Sequence, residues 1–324
     1  LKMTVGGDFK IGAPTGIGVT VSSSGNIDAI GIITATSYYG DGSNLSNITS
    51  TTINTNADNR VITGSGTANT LNGESNLTFD GSTLTVTGAA SVSADITVNS
   101  VTVGRGTNSV ATNTVLGDSA LDAAVTGTNN TAIGNVSATT LTSGNSNTAV
   151  GSQSLQLATT GDFNVAVGKD ALRYFTTANN NTAIGADAMQ GASGSSTGGN
   201  NTAVGRLAAF SLTSGTSNTA LGQSALEGCT DGTNNVAIGY ETGTADWGDA
   251  NVAVGYRALK VNTASNNTGV GYQALVANTT GTNNTAIGYA ALDANTDGHS
   301  NAAFGRSALS ANTSGDYNTA CGMY

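Results

Sequence analysis

A five-residue phrase, Asn-Thr-Ala-Ile-Gly, returns thirteen times with small changes between Asn113 and Gly322. Its closing glycines are Gly117, Gly134, Gly151, Gly168, Gly185, Gly205, Gly222, Gly239, Gly255, Gly271, Gly288, Gly305 and Gly322, at spacings of 17, 17, 17, 17, 20, 17, 17, 16, 16, 17, 17 and 17. A period held this long means that one small unit is stacked on itself. Seventeen residues is about half of what a helix-pair repeat needs. Gly, Asn and Thr are poor in helix interiors, and β-branched residues at the second and fourth places favour extended chain. Each copy therefore reads as one coil of a β-solenoid: a short strand, a turn, a second short strand or turn, and a return loop.

The first place is always Asn: Asn113, Asn130, Asn147, Asn164, Asn181, Asn201, Asn218, Asn235, Asn251, Asn267, Asn284, Asn301 and Asn318. An amide at one point of every coil is expected to stack into a ladder, each bonding the next coil's amide or backbone. The third place is Ala in eleven copies, with Val115 and Gly269 as the others, and the fourth is apolar from Leu116 to Cys321. Alternation puts places two and four on one strand face and place three on the other. Both faces are dry in character, so both call for cover. One packs inside the coil and the other needs a partner. Alanine at place three implies a wall too near for anything larger, and the glycine supplies a bend or a positive φ. Cys321, at place four, reads as a small core residue, and Cys229 as a free thiol.

After the glycine comes x-x-Ala-Leu, as in Ala120-Leu121, Ala171-Leu172 and Ala291-Leu292. The return loop, such as Ala277-Asn278-Thr279-Thr280-Gly281-Thr282-Asn283, is rich in turn formers and is expected to turn in water. Asn-Thr-Ala-Ile-Gly-x-x-Ala resembles the head repeat of trimeric autotransporter adhesins. That resemblance implies a left-handed parallel β-roll with three chains about one axis. The longer phrase from Leu275 to Gly288, and residues 31–45, resemble fibre proteins of marine phages, cyanophages above all. The coil length departs from the adhesin pattern. The resemblance implies a homotrimeric virion or tail fibre, extracellular, that joins other virion proteins through its N-terminal end and meets host-surface carbohydrate at its flank.

The expected architecture is all-β: residues 1–48 an N-terminal stalk or attachment segment, 49–104 an irregular β connector, and 105–324 a parallel β-roll of about thirteen coils. Asp80-Gly81 signals a hairpin, and residues 100–104 read as a degenerate coil that caps the stack. Three extra residues bulge out between Gly191 and Gly199, where insertion costs little closure entropy. Only 9% of the 324 residues are charged and the net charge is −10, which excludes a basic nucleic-acid groove. No apolar run is long enough to span a membrane.

No residues are assigned to catalysis, cofactor or metal. The single histidine, His299, gathers as a metal site only if a threefold axis brings three copies together; otherwise it is a loop residue beside Asp297 and Gly298. Glu241, Asp246 and Asp249 cluster near Trp247 without calcium-loop spacing. The sharper signal is aromatic. Tyr240, Tyr256, Tyr272 and Tyr289 follow the glycine in four consecutive coils, and Trp247 lies in the same stretch. They are the candidate ligand-binding residues for sugar rings; the competing reading is a packing ladder. Alternatives to a phage fibre are a bacterial trimeric surface adhesin and a glycan-degrading tailspike. Ice binding by threonine is disfavoured, because the threonines share a face with Ile and Val and are expected to be buried.

Overall fold

The computed structural model describes the strands between residues 9 and 79 and then residues 82–86, 94–192 and 196–324. The chain divides into two units, Leu1–Ala90 and Ser91–Tyr324. The first holds two three-stranded antiparallel sheets: β1 (Phe9–Gly12), β2 (Gly18–Val21) and β3 (Ile27–Ala29), then β4 (Arg60–Gly64), β5 (Leu71–Phe79) and β6 (Leu84–Val86). Strands β5 and β6 pair antiparallel with Phe79 opposite Leu84, as a hairpin requires; Asp80 and Gly81, expected to form its turn, lie outside the described residues. The segment 31–45, expected to intertwine in a stalk, lies outside the described residues.

The second unit is a parallel β-solenoid. Strands β7 (Ile96–Val98) and β8 (Val101–Gly104) form an antiparallel hairpin at its start. Thirteen strands follow: β9 (Thr114–Gly117), β10 (Thr131–Ile133), β11 (Thr148–Val150), β12 (Val165–Val167), β13 (Thr182–Ile184), β14 (Thr202–Val204), β15 (Thr219–Leu221), β16 (Val236–Ile238), β17 (Val252–Val254), β18 (Thr268–Val270), β19 (Thr285–Ile287), β20 (Ala302–Phe304) and β21 (Thr319–Cys321). From β9 onward every pairing is parallel and residue-for-residue in register, for example Ala149 with Ala166. The pairing of β8 with β9 is antiparallel. Residues 100–104 therefore cap the sheet edge as half of a hairpin, not as a degenerate coil; a reversed strand occupies the edge that another coil would extend.

There is one strand per coil. The Ala-Leu stretch expected as a second strand or turn is a run of turns, with left-handed backbone at Leu155, Leu172, Leu275 and Leu292. Such φ values are costly outside glycine. Packing supplies the compensation, since these leucines are fully buried, at about 1.5–3 kcal/mol each. The phrase glycines from Gly134 to Gly322 have φ between 127 and 142°. All but Gly322 are also crowded: a Cβ on Gly168 would stand 2.3 Å from the Gly185 carbonyl oxygen. Both reasons demand glycine.

The strand resolves which dry face goes in. Place three is inside: Ala132, Ala166, Ala183 and Ala237 are fully buried. Places two and four point outward, with Ile184, Leu221 and Ile287 more than 40% exposed in the single chain. The expectation that threonine at place two is buried is overturned, since Thr131, Thr148 and Thr285 are half-exposed and Thr202 is exposed. Cys321 is likewise exposed and free, because place four is the outer face.

A second interior column fills the coil beyond the turn, and it compensates in volume. Where the turn residue is small (Ala138, Ala209, Gly243), the facing residue is large (Leu141, Leu212, Trp247). Where it is leucine (Leu155, Leu226), the partner is Ala158 or Cys229. Phe175 faces Leu172 yet is buried, because the next coil offers Gly191, whose Cβ would lie 3.1 Å from the Phe175 ring. Interiors packed to crystal density require this pairing.

The twenty-residue coil keeps the stack intact. β13 and β14 pair in register, and the Asn201 N–H reaches Asn181 Oδ1 at 2.9 Å across the insertion. Ser196 is fully buried and its N–H bonds the Tyr174 carbonyl at 2.8 Å, so the packed part of this coil resumes there. Residues 193–195 lie outside the described residues. Deleting those three residues restores the common spacing and is expected to change the melting temperature by less than about 3 °C. A thermal melt by circular dichroism checks this, and a drop beyond 8 °C contradicts it.

Candidate functional site: ladders and the tyrosine stripe

The asparagine ladder is continuous. Each Oδ1 accepts the backbone N–H of the next coil's asparagine, from Asn130 to Asn113 at 2.9 Å through Asn318 to Asn301 at 2.9 Å. From Asn113 to Asn301 each Nδ2 also closes its own coil, as Asn164 does by donating to the Ala178 carbonyl at 2.8 Å. The side chains are buried from Asn113 to Asn301. One amide thus ties a strand both to its return loop and to the next coil, at about 1 kcal/mol per bond.

Sequence reasoning missed a second amide ladder. In the last four coils the interior column switches to Asn262, Asn278, Asn295 and Asn312. Asn278 Nδ2 donates to Asn262 Oδ1 at 2.7 Å, Asn295 to Asn278 at 2.8 Å and Asn312 to Asn295 at 3.0 Å. The first three are fully buried. Asn278, expected in a loop turning in water, is therefore a core residue. Its spacing of 16 and 17 residues from Asn262 and Asn295 was the available signal. Asn278→Ala is expected to cost about 1–3 kcal/mol, because Asn262 Oδ1 and Asn295 Nδ2 both lose a partner inside the coil. Urea denaturation followed by circular dichroism measures it, and a change below 0.5 kcal/mol contradicts it.

The four tyrosines do form a stripe. Their rings stack parallel, with centroids 5.6, 5.0 and 5.0 Å apart from Tyr240 to Tyr289 and interplanar angles of 8, 10 and 4°. Tyr240, Tyr272 and Tyr289 are exposed, and Tyr256 is half-buried. The stack closes most of its ring faces: each inner face meets a neighbour, the Arg257 and Arg306 guanidiniums lie 4.9 and 5.6 Å from the Tyr256 and Tyr289 centroids, and the outer face of Tyr240 meets no ring or guanidinium among the described residues. What the stripe offers outward is ring edges and hydroxyls. Trp247 does not join it. Its side chain is 1% exposed, and its indole N–H donates to the Leu259 carbonyl at 3.2 Å. A buried indole offers no face to a sugar, so Trp247 is a core filler opposite Gly243.

Glu241 sits beside the stripe and holds Arg257 at 2.8 Å and Lys260 at 2.7 Å. Hydrogen bonds from Lys260, Tyr240 and Arg257 lower its pKa to about 2. Asp246 accepts from Thr230, and Asp249 from Thr233. These acids are spent on neighbouring coils, and no group of three potential metal ligands occurs among the described residues. His299 belongs to a surface ladder: its Nδ1 takes the Thr282 N–H at 3.0 Å, which leaves the neutral ring its proton on Nε2. Cys229 is fully buried, and burial pushes its thiol up to about 12.

Comparison of the chain with protein-family models, with curated proteins and with solved structures finds no match. No helix among the described residues is long and apolar enough to cross a membrane.

Proposed function

We propose that the chain is a non-enzymatic, self-associating fibre: a homotrimeric rod of a phage virion, outside the cell, that gives reach and rigidity and presents its flank to a host surface. The observation that carries this reading is the outward strand face. The first eleven coils line up Thr or Val at place two with Ile, Val or Leu at place four, and the last two continue the rows with Ala302, Phe304, Thr319 and Cys321; no segment of the described solenoid covers them. With strands about 4.8 Å apart the face runs about 58 Å. At a width near one strand and its side chains, that is on the order of 600 Å². An apolar patch of this size is at the upper end for a monomer and approaches the roughly 800 Å² that one partner contributes to a standard interface. A second and third copy of the same face satisfy it without any other partner.

The low charge, the one-dimensional stacking and the resemblance to phage fibres support the virion reading over the bacterial adhesin. Nothing in the site favours the tailspike reading, since the acids near the stripe are paired within the fold. The N-terminal unit is the part proposed to join other virion proteins.

Self-association has a built-in reporter. Cys321 lies on the outer face and Cys229 is buried. Mild oxidation with diamide is expected to give a disulfide-linked pair of chains, lost in Cys321→Ser and kept in Cys229→Ser. Equilibrium sedimentation of the same sample is expected to give three chain masses. A monomer with no cross-link rejects the proposal.

A further inference from the structure

A left-handed residue precedes the ladder asparagine in every coil from the second onward. Its φ stays between 56 and 62°, as at Asn129 (61°), Asn180 (59°) and Asn266 (62°). Asn suits this region through its short polar side chain. It fills six of the twelve places, Ser three and Ala one; the other two are Phe163 and Tyr317. A bulky residue at such a φ is an outlier. For the leucines of the turn, burial in the coil compensates. For Phe163 it does not, since the side chain is 60% exposed and its ring joins no stacked or cation–π pair among the described residues. Tyr317 is 82% exposed.

This column borders the outward strand face. In the coil of β12 the outer positions read Phe163, Val165 and Val167, apolar throughout, where the coils on either side read Ser146, Thr148, Val150 and Asn180, Thr182, Ile184. Over all thirteen coils neither this column nor places two and four holds a charged residue, although the net charge is −10. Copies of an anionic chain repel one another, so a face free of charge is where two of them approach at least cost.

We propose that Phe163 is an anchor through which this face takes a second copy of the chain, its ring leaving water on the apolar surface of the neighbouring copy. The proposal rests on the self-association reading above and names a residue that drives it. A backbone cost left uncompensated inside the chain is offset by aromatic burial between copies. Aromatic side chains are enriched at the buried centre of interfaces for the same reason.

The test uses the full chain. Phe163→Asn installs the residue that Asn180 provides one coil on. It is expected to weaken self-association at least about tenfold, as loss of an aromatic anchor does. The melting temperature of the single chain is expected to stay within about 3 °C, because the ease of Asn in the left-handed region offsets the burial that the ring gives up. Phe163→Tyr keeps the ring and is expected to weaken association less than about tenfold. Equilibrium sedimentation over a concentration series reads association, and circular dichroism melts at a dilution that gives single chains read stability. Phe163→Asn chains that associate within tenfold of the original overturn the proposal, whatever other molecule the ring meets. A melting temperature lowered by more than 3 °C also overturns it, because the ring is then a packing group of its own coil. So does a loss in Phe163→Tyr as large as that in Phe163→Asn. An original chain that stays single at every concentration rejects self-association itself, whereas assembly undisturbed by Phe163→Asn keeps the fibre and rejects only the anchor.

Discussion

Trp247→Ala is expected to lower the stability of the solenoid by about 3–5 kcal/mol, the cost of emptying a buried aromatic site. Trp247 is the largest fully buried side chain, and it fills a coil whose turn residue is Gly243 in place of the usual leucine. A Cβ on Gly243 would lie 2.3 Å from the indole ring. The two positions share one volume. Gly243→Leu alone is therefore expected to destabilise by overpacking, although its φ of 65° is near the values that Leu259 and Leu275 adopt. Combined with Trp247→Ala, the same change is expected to recover at least half of the loss, because it recreates the arrangement of neighbouring coils. The double-mutant cycle measured by denaturant melts then shows strong positive coupling. Additive effects contradict the shared-volume account. Since each coil touches only its neighbours, the single variant is also expected to split the melt into two transitions, on either side of the weakened coil.

Ile184→Asp together with Ile287→Asp is expected to abolish self-association while leaving the coils folded. Both side chains are 41% exposed on the outer face. In a lone chain the aspartates remain in water and cost little. At an apolar seam each copy brings two carboxylates with no partner, which costs several kcal/mol and weakens association by at least about a hundredfold. Sedimentation to a single chain mass with an unchanged circular dichroism spectrum is the expected result. A variant that still assembles places the interface elsewhere, and one that unfolds makes the isolated coil dependent on its partners. The same substitution at Ala183 or Ala286, which point inward, is expected to unfold the coil itself.

The contrast between Ile184 and Ala183 marks how far the repeat could be read from the chain alone. Period, strand position, parallel register and the asparagine ladder all follow from spacing, because a stack with one unit per coil puts equivalent residues next to each other. Gly168 and its counterparts follow too, since only glycine accepts both the positive φ and the close carbonyl of the next coil. Alanine at place three correctly announced a near wall.

What spacing leaves open is which dry face is the interior. Two outward places and one inward place in a three-residue strand carry the same alternation whichever way the strand is turned. The turn decides it: the left-handed Ala-Leu run brings leucine back against the alanine face, and the coil is then narrow enough that Ala or Gly fills the inward place in twelve of the thirteen coils, with Val115 in the first. That one choice puts Cys321 and the threonines outside. Burial of Asn278 and Trp247 is also tertiary. A polar residue in a loop-like stretch enters the core only because the next coil supplies its hydrogen-bond partner, and an indole enters only because Gly243 vacates the space. The stacking distance of the tyrosines, finally, turns most of the faces of four potential sugar platforms against one another, leaving chiefly edges and hydroxyls outward.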